Sequence, residues 1–331
     1  MSILIIKPGV LDTLQDLGRF GGGTYGLNPG GTMDRYASVI ANMLTGNDIN
    51  EAVLEIHFPG PQILFKHDAL ICITGADFKP TLNDEPLPGW QPVLIRKNTI
   101  LQFSGKKQGS SIYLAVHGGF GGMQQWLNSY STNLKAGLGG WQGKKLQKGD
   151  ELSFRESTND LSRLFRSESN FQLLPWRPDV AQMYSHPEDI LFIRGNEFEA
   201  LTGESKDNLL KSAFRVHPSS DRMGYQLKGK SLFRGDSYEL LSSAVHFGTI
   251  QLLPNGQLIV LMADHQTTGG YPRIGHVISA HLPKFAQLSP GSSLRFTPVD
   301  IEAAEQLLFS QHQQLQILQR ACSDHLNSYL C

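Results

Sequence analysis

The sequence has few of the features that mark secreted, membrane-spanning or nucleic-acid-binding proteins. Its three cysteines, Cys72, Cys322 and Cys331, are spaced too widely for a metal cluster and favour free thiols in a reducing compartment. No run approaches the roughly 18 apolar residues that cross a bilayer, and Ile3–Ile6 is too short for a signal-peptide core. With a formal net charge of −1, the chain has no bulk attraction for nucleic acid or anionic membranes. These absences predict a cytoplasmic protein with neither a nucleic-acid nor a membrane partner.

Several short motifs for catalysis and cofactor attachment are also missing. Gly143-Lys144 resembles the end of a phosphate-binding loop, but Leu138 stands where its first glycine belongs and Lys145 where Ser or Thr belongs. The chain has no Gly-x-Ser-x-Gly nucleophile elbow and no His-Glu-x-x-His pair. Three later histidines are spaced too loosely for a metal site: His265, His276 and His281. No Met is followed by Lys, so we expect no biotin attachment site and no metal site in this chain.

Composition, together with the glycines and prolines that separate short apolar runs, predicts a mainly β protein with few helices. Hydrophobic residues make up 40% and charged residues 18%, which is typical of a globular chain with a sizeable core. Short β-like runs separated by 34 glycines and 17 prolines favour barrels or sandwiches. These runs are Ile3–Ile6, Gln62–Phe65, Leu70–Ile73, Val93–Ile95, Ile100–Phe103, Ile112–Val116, Ile190–Ile193, Thr249–Leu253, Leu258–Met262 and Ser293–Phe296. The polar stretch 166–189 predicts a connection between an N-terminal domain, 1–165, and a C-terminal domain, 190–331.

Two helices are predicted. Met33–Leu44 carries apolar residues at helical spacing. A second helix begins near Thr297, with Thr297 as its capping residue and Pro298 in its first turn. Its apolar stripe is Ile301, Ala304, Leu308, Leu315, Leu318 and Cys322. Such a stripe packs on its own domain or binds a partner, and the spacing leaves both readings open.

Three glycine-flanked polar segments are candidate ligand loops. In the first, Arg19 is suited to clamp a carboxylate or phosphate, and Asp34 to act as a base, bind a cation or cap the helix that follows. In the second, Asp221 and Arg222 are adjacent, so both face one ligand only if the segment is a turn.

The third segment follows the strand Leu258–Met262 and ends in two glycines. Polar side chains at a strand end that leads into glycines are typical of a ligand loop. The candidate binding residues here are Gln266, Thr267, Thr268, Gly269, Gly270 and Tyr271. Backbone N–H groups at the glycines are suited to an oxyanion.

These segments, in this order, resemble the KipA-like family, which is related to biotin-dependent carboxyltransferases. Its members include the C subunit of bacterial 5-oxoprolinase, allophanate hydrolase subunit 2 and part of the carboxyltransferase region of urea carboxylase. The similarity spans residues 3–308, with its longest motifs at 7–21, 30–47, 52–65, 219–229, 248–275 and 285–296. The resemblance implies two cyclophilin-like β-barrel domains.

The resemblance also implies a function as one part of an enzyme. The expected reaction is the ATP-driven opening of 5-oxoproline to L-glutamate, with ATP used by the complex, a KipI-like B subunit as partner and a separate A subunit. The alternatives are a carboxyltransferase component that transfers a carboxyl group to urea or another amide, and a non-catalytic antagonist of a KipI-type kinase inhibitor.

Site roles under the 5-oxoprolinase hypothesis follow from side-chain chemistry. Arg19 or Arg222 would hold the substrate carboxylate or a phosphate, and Asp221 or Asp34 would act as base or orient water. The 266–270 loop would stabilise a developing oxyanion. Gln15 and Tyr271 complete the expected binding set.

Overall fold

The chain folds into two compact units. The structure is a computed structural model that describes residues 1–155, 161–166, 168–236 and 240–330. The first unit comprises Met1–Arg19, Gly30–Asp179 and Gln314–Cys331, and the second comprises Phe20–Pro29 and Val180–Gln313. The predicted domains, 1–165 and 190–331, are contiguous, whereas the observed units exchange two segments. The division at Asp179 and Val180 lies within the predicted connection 166–189.

Local contacts explain the two exchanged segments. Asn28 Nδ2 donates a hydrogen bond to the carbonyl oxygen of Asp264 at 3.3 Å, within the second unit. At the other end of the chain, Leu326 packs with Leu70 and Leu94 in a hydrophobic cluster of the first unit. Composition along the chain cannot show either contact, because the partners are remote in sequence.

The first unit consists of two six-stranded antiparallel sheets around one hydrophobic core. Its strands are β1 (Ser2–Lys7), β2 (Asp12–Gln15), β3 (Val53–His57), β4 (Gln62–Phe65), β5 (Ala69–Asp77), β6 (Pro80–Leu82), β7 (Glu85–Pro86), β8 (Pro92–Ile95), β9 (Thr99–Phe103), β10 (Gln108–Val116), β11 (Glu151–Ser153) and β12 (Phe171–Leu173). The strand orders are β11-β1-β4-β9-β6-β7 and β12-β8-β5-β10-β3-β2. Alternating apolar residues of both sheets, such as Ile5 and Leu54, meet in the shared core.

Helix α1 (Arg35–Thr45) lies against the second of these sheets. Asp34 caps its N-terminus by accepting a hydrogen bond from the Ala37 N–H at 2.9 Å, and Gly46 ends it in a left-handed conformation. The predicted helix Met33–Leu44 is thus confirmed with slightly shifted ends. Every residue from Tyr36 to Thr45 is buried, so the helix is enclosed on all sides and not only along its apolar face.

The second unit is built on a closed seven-stranded barrel. Its strands are β13 (Asp189–Arg194), β14 (Phe214–Val216), β15 (Gly224–Lys228), β16 (Ser243–Ala244), β17 (Thr249–Leu252), β18 (Leu258–Leu261), β19 (Thr268–Gly269), β20 (Arg273–Val277) and β21 (Ser293–Pro298). The barrel order is β13-β20-β17-β18-β15-β14-β21, and β16 pairs with β19 in a separate two-stranded ribbon. Phe296 packs against both Phe192 and Phe214 in its core. All ten predicted β runs coincide with strands, and the mainly β prediction is confirmed.

The remaining helices are α2 (Ala181–Tyr184), α3 (Gly203–Lys211), α4 (Leu282–Ala286) and α5 (Ile301–Leu330). The prediction that Thr297 caps the last helix is wrong, because Thr297 pairs with Leu191 in the parallel β13–β21 ladder. Asp300 takes that role and accepts a hydrogen bond from the Ala303 N–H at 2.8 Å. Ile301 is 54% exposed and leaves the predicted stripe, while Gln311 is buried within it.

Two further observations concern the cysteines and the membrane. Cys72 and Cys322 are free, as predicted; both are buried, and burial raises the pKa of the Cys322 thiol to about 11. Cys331 lies outside the described residues. None of the helices that the structure describes is long and apolar enough to span a bilayer.

Candidate functional site

The turn that follows β2, residues 16–19, is organised by the buried carboxylate of Asp16, and we call it the Asp16 loop. Asp16 Oδ1 accepts hydrogen bonds from the Gly18 N–H at 2.8 Å, the Ser129 hydroxyl at 2.7 Å and the Ser131 hydroxyl at 2.6 Å. Its Oδ2 accepts from the Tyr130 N–H at 2.6 Å. Four donors on one carboxylate tie the turn after β2 to a segment more than 100 positions later. Asp16 therefore shapes the loop from which the neighbouring candidate residues project.

Gln15 and Arg19 flank this carboxylate, and both are buried. The Arg19 guanidinium donates to the carbonyl oxygen of Ser131 and stacks over the Trp126 ring at 4.7 Å from its centroid. Gln15 Nε2 donates to Thr13 Oγ1 at 3.0 Å and to the Thr132 carbonyl at 3.3 Å. The Gln15 side-chain oxygen is buried without a hydrogen-bond partner among the described residues.

Asp34 is fully buried at the start of α1. Its carboxylate accepts the Ala37 N–H, and its own N–H donates to the Tyr113 hydroxyl at 2.7 Å. Asp34 was considered as a base, a cation ligand or a helix cap, and its contacts are those of a helix cap. The neighbouring Met33 N–H donates to Glu55 Oε2 at 2.8 Å, which anchors the same turn to β3.

In the second unit, Asp221 and Arg222 lie in a tight turn before β15. Asp221 Oδ1 accepts hydrogen bonds from the Met223 N–H at 2.8 Å and from the Gly224 N–H at 3.2 Å. The Asp221 side chain is exposed, whereas the Arg222 side chain is only 7% exposed. The turn therefore presents Asp221 to solvent and directs Arg222 inward.

Arg222 forms a bidentate ion pair with Asp264. Its Nε donates to Asp264 Oδ2 at 2.9 Å and its Nη2 to Oδ1 at 3.1 Å. The Asp264 N–H also donates to the Arg222 carbonyl oxygen at 2.7 Å. Two of the candidate segments are thus joined at their bases. Sequence reasoning missed this role of Asp264, because no local spacing links two residues 42 positions apart.

The loop after Asp264 carries the remaining candidate residues. Its first member, His265, is buried, and its Nδ1 lies 2.5 Å from the Gln266 carbonyl oxygen. Thr268 and Gly269 form β19 and pair with β16. The exposed side chains of the loop are Gln266, Thr268 and Tyr271, with Gly270 exposed as well; Thr267 and Gly269 are half-buried.

Beneath this loop lies a polar face formed by β17 and β20. Thr249 Oγ1 lies 3.2 Å from His276 Nδ1. Arg273 donates two side-chain hydrogen bonds to Glu197, at 3.0 and 3.3 Å. Burial alone would raise the pKa of Glu197, but hydrogen bonds from Arg273 outweigh it and hold that pKa below its ordinary value. Burial lowers the pKa of His276, assisted by the charges of His246 and Arg273, which favours the neutral imidazole.

Gln251 lies on the same face and was not identified from the sequence. It is fully buried in β17, and neither its side-chain nitrogen nor its oxygen has a hydrogen-bond partner among the described residues. A usable signal existed, because Gln251 is a polar residue between Ile250 and Leu252 in a wholly buried strand.

The chain is similar to known proteins over most of its length. Residues 25–298 match the family model described as carboxyltransferase domain, subdomain A and B. The 5-oxoprolinase C subunit of Haemophilus influenzae is 37% identical over 307 residues, covering 93% of this chain and 94% of that protein. The 5-oxoprolinase C subunit of Escherichia coli is 35% identical, covering 91% and 92% respectively.

A solved structure extends the comparison to the fold. The K. lactis urea amidolyase structure is 26% identical and superposes with a TM-score of 0.84, covering 96% of this chain and 20% of that one. The family match covers most of the chain, and two relatives above 30% identity align along nearly their whole length. The chain therefore belongs to the carboxyltransferase domain family, subdomains A and B.

Proposed function

We propose that this chain is the C subunit of a cytoplasmic, ATP-dependent 5-oxoprolinase that opens 5-oxoproline to L-glutamate. The observation that carries the proposal is how much of each chain the alignment covers. The two C-subunit relatives align over more than nine-tenths of both partners, whereas the urea amidolyase structure contains this fold as one-fifth of its length. The identity to these two subunits, 37% and 35%, also exceeds the 26% identity to the urea amidolyase structure.

The chemistry requires more than this chain offers. A lactam is a poor electrophile because amide resonance must be broken, and phosphorylation of the lactam oxygen by ATP would activate it. The sequence has no recognisable nucleotide-binding loop, so we assign ATP to the complex rather than to this chain. The partners are a KipI-like B subunit and a separate A subunit. We expect no biotin attachment site in this chain, because no Met is followed by Lys.

The contacts of Asp221 and Arg222 support different roles for the two residues. Arg222 already uses two of its donors on Asp264, so it acts as a positioning residue that fixes the 264–271 loop. Asp221 is exposed, and only its Oδ1 is engaged by the turn. It is therefore the carboxylate available to orient water or accept a proton.

In the first unit, Arg19 and Gln15 line the turn that Asp16 organises. Arg19 remains our candidate for binding a carboxylate or phosphate, with its guanidinium plane held by Trp126. Asp34 serves as the cap of α1, and its N–H donates to the Tyr113 hydroxyl of β10. The 266–270 loop remains the candidate for stabilising an oxyanion.

The test is reconstitution of the complete complex. This chain is co-expressed with its candidate partner subunits, and glutamate release from 5-oxoproline is measured with and without ATP and with each chain omitted. We expect release only when ATP and all chains are present. No release from the complete complex would refute the proposal.

One variant tests the role of Asp221 inside that assay. Asp221→Asn keeps the oxygen that accepts the Met223 and Gly224 N–H groups, so the turn is preserved while the basic carboxylate is lost. We expect kcat to fall by about 100-fold or more. The matched control is Asp207→Asn on the surface of α3, which leaves kcat unchanged. Equal activity of both variants would remove Asp221 from the catalytic set.

A second candidate function rests on the TM-score of 0.84 to the urea amidolyase structure. In that case the chain would transfer a carboxyl group from a biotin carried by another protein. Co-purification with a biotinylated partner, together with bicarbonate-dependent ATP use, would favour it over ring opening.

A further inference from the structure

The Gln251 amide is a polar group that the fold leaves unused. Its strand β17 is buried along its whole length, and the side chain has no exposed surface. Both its nitrogen and its oxygen lack hydrogen-bond partners among the residues that the structure describes. An uncompensated buried amide destabilises a fold, so such groups are rare where they serve no other purpose.

The surroundings of Gln251 distinguish it from an ordinary core defect. Thr249 and Gln251 alternate onto one face of β17; Thr249 pairs with His276 and, across an irregularity in the ladder, Gln251 pairs with Arg273. Thr249 is bonded to His276, and Arg273 is bonded to Glu197. Gln251 is thus an unengaged side chain beside two pairs whose members engage each other.

Gln251 also lies directly against the candidate loop. A Cβ at residue 269 would stand 2.6 Å from Gln251 Nε2, so only glycine there lets the amide approach the backbone of β19. The cover itself is slight. The ribbon pairs only Ser243 with Gly269 and Ala244 with Thr268, and one further hydrogen bond joins Val245 to Thr267. Movement of this ribbon away from β17 would uncover the Gln251 amide beneath the loop.

We infer that Gln251 is a specificity-determining residue that recognises the cis-amide edge, H–N–C=O, of a lactam or cyclic urea bound under the 264–271 loop. The glutamine amide presents a carbonyl oxygen and an N–H on one edge. A cis-amide presents the same two groups in the reverse order, so the pair forms two parallel hydrogen bonds. This inference rests on the proposed function, because 5-oxoproline contains this edge in its ring.

The first experiment uses the reconstituted complex and separates recognition from folding. Gln251→Met keeps the length of the side chain and removes both polar atoms. We expect the KM for 5-oxoproline to rise about 10- to 100-fold, while the thermal midpoint of the complex stays the same or rises, because an uncompensated polar group has been removed. The matched control is Gln226→Met, an exposed glutamine on β15, which changes neither quantity.

A purely structural glutamine gives the opposite pattern. If its amide supported the fold, Gln251→Met would lower the thermal midpoint or prevent assembly, and the KM of any enzyme formed would match the wild type. Either result would overturn the inference.

The second experiment distinguishes this inference from the proposed function. Binding of 5-oxoproline, N-methyl-5-oxoproline, urea and 2-imidazolidone to the complex is measured by calorimetry. We expect the N-methyl compound to bind about 10-fold or more weakly than 5-oxoproline in the wild type, and the two to bind alike in Gln251→Met.

Failure of the two ideas gives different results. A complex that releases no glutamate but binds urea or 2-imidazolidone in a Gln251-dependent manner would refute the 5-oxoprolinase proposal and leave the recognition role standing. A complex that releases glutamate with the same KM in Gln251→Met would refute the recognition role and leave the 5-oxoprolinase proposal standing. Absence of binding by all four compounds would refute the recognition role.

Discussion

Asp16 in the first unit and Gln251 in the second both lie buried beside a polar loop, but their hydrogen-bonding capacity is used very differently. The Asp16 carboxylate accepts four hydrogen bonds from its own loop and from residues 129–131. The Gln251 amide makes none to the described residues. The 264–271 loop is held instead at its base, by the Arg222–Asp264 ion pair.

This difference separates scaffold from recognition surface. A buried polar group whose capacity is filled by the protein gains nothing from a ligand and serves to fix geometry. A buried polar group left open lowers stability unless something binds it, and residues that lower stability concentrate at functional sites. The comparison therefore directs attention to the 264–271 loop for recognition of an amide, and to Asp16 as the residue that fixes the turn carrying Arg19.

The largest effect is expected from removing the Asp16 carboxylate. Asp16→Ala leaves four donors without their charged acceptor, and we expect the free energy of unfolding of the first unit to fall by about 5 kcal/mol. All four tryptophans of the sequence, Trp90, Trp126, Trp141 and Trp176, belong to this unit. Tryptophan fluorescence during urea unfolding therefore reports on it selectively.

The exposed carboxylate Glu85, on the edge strand β7 of the same unit, provides the control, since Glu85→Ala changes only a surface side chain. If Asp16→Ala cost no more than this control, the Asp16 loop would not be a rigid scaffold and the comparison would fail.

Asp12 tests the same distinction within the first unit through pH. Burial raises the pKa of Asp12 to about 7, while the Gly9 N–H and the charge of Lys145 oppose the rise. Because the folded-state pKa lies above the ordinary value of 3.8, its contribution to stability is complete at low pH and is lost as the pH rises towards 7. Asp12→Asn avoids that loss, so we expect it to be more stable than the wild type by about 3 kcal/mol at pH 8.

Urea unfolding at a series of pH values checks the sign. The two proteins should converge near pH 4, where Asp12 is protonated in the folded chain. A variant less stable than the wild type at pH 8 would mean that the ionised carboxylate of Asp12 stabilises the fold, as that of Asp16 does.

Much of the fold follows from local pattern, because strand runs and glycine punctuation reflect only near neighbours. The start of α5 shows the limit of prediction from local sequence. Thr297 is a good capping residue, yet its pairing with Leu191, 106 positions earlier, keeps it in β21 and moves the helix start to Ile301. Long-range pairing decided between two local choices of similar quality.

The sequence was enough to predict which segments form the candidate site, but not which residues contact one another there. The loops around Arg19, Asp221 and Gln266 were found because glycine and polar residues cluster there. The partners that define each role, such as Ser131 for Asp16 and Asp264 for Arg222, lie 115 and 42 positions away. No periodicity in one sequence encodes such a pairing.

A smaller effect on stability is expected from breaking the ion pair that anchors the 264–271 loop. A double-mutant cycle with Arg222→Met and Asp264→Asn should give a coupling energy of about 2 kcal/mol, discounted from a fully buried pair because the Asp264 side chain is 19% exposed. Scanning calorimetry of the four proteins supplies the values. Hydrogen exchange should rise in residues 264–271 and remain unchanged around Asp16. Additive single effects would show that the two segments are not joined as described.

The smallest effect is expected at Gly269, where the loop meets Gln251. In Gly269→Ala the new methyl group falls 2.6 Å from Gln251 Nε2, the end of a flexible side chain that can turn aside, so we expect a cost of about 1 kcal/mol. Adding Gln251→Ala should cancel that cost, because the overlapping atoms are gone. Gly23→Ala, where nothing lies within 4 Å, serves as the control in the same unit and should change stability by less than about 0.5 kcal/mol. Calorimetric midpoints that fall equally in the single and double variants would show that Gln251 does not lie against the loop, and both the recognition role and its contrast with Asp16 would then lose their structural basis.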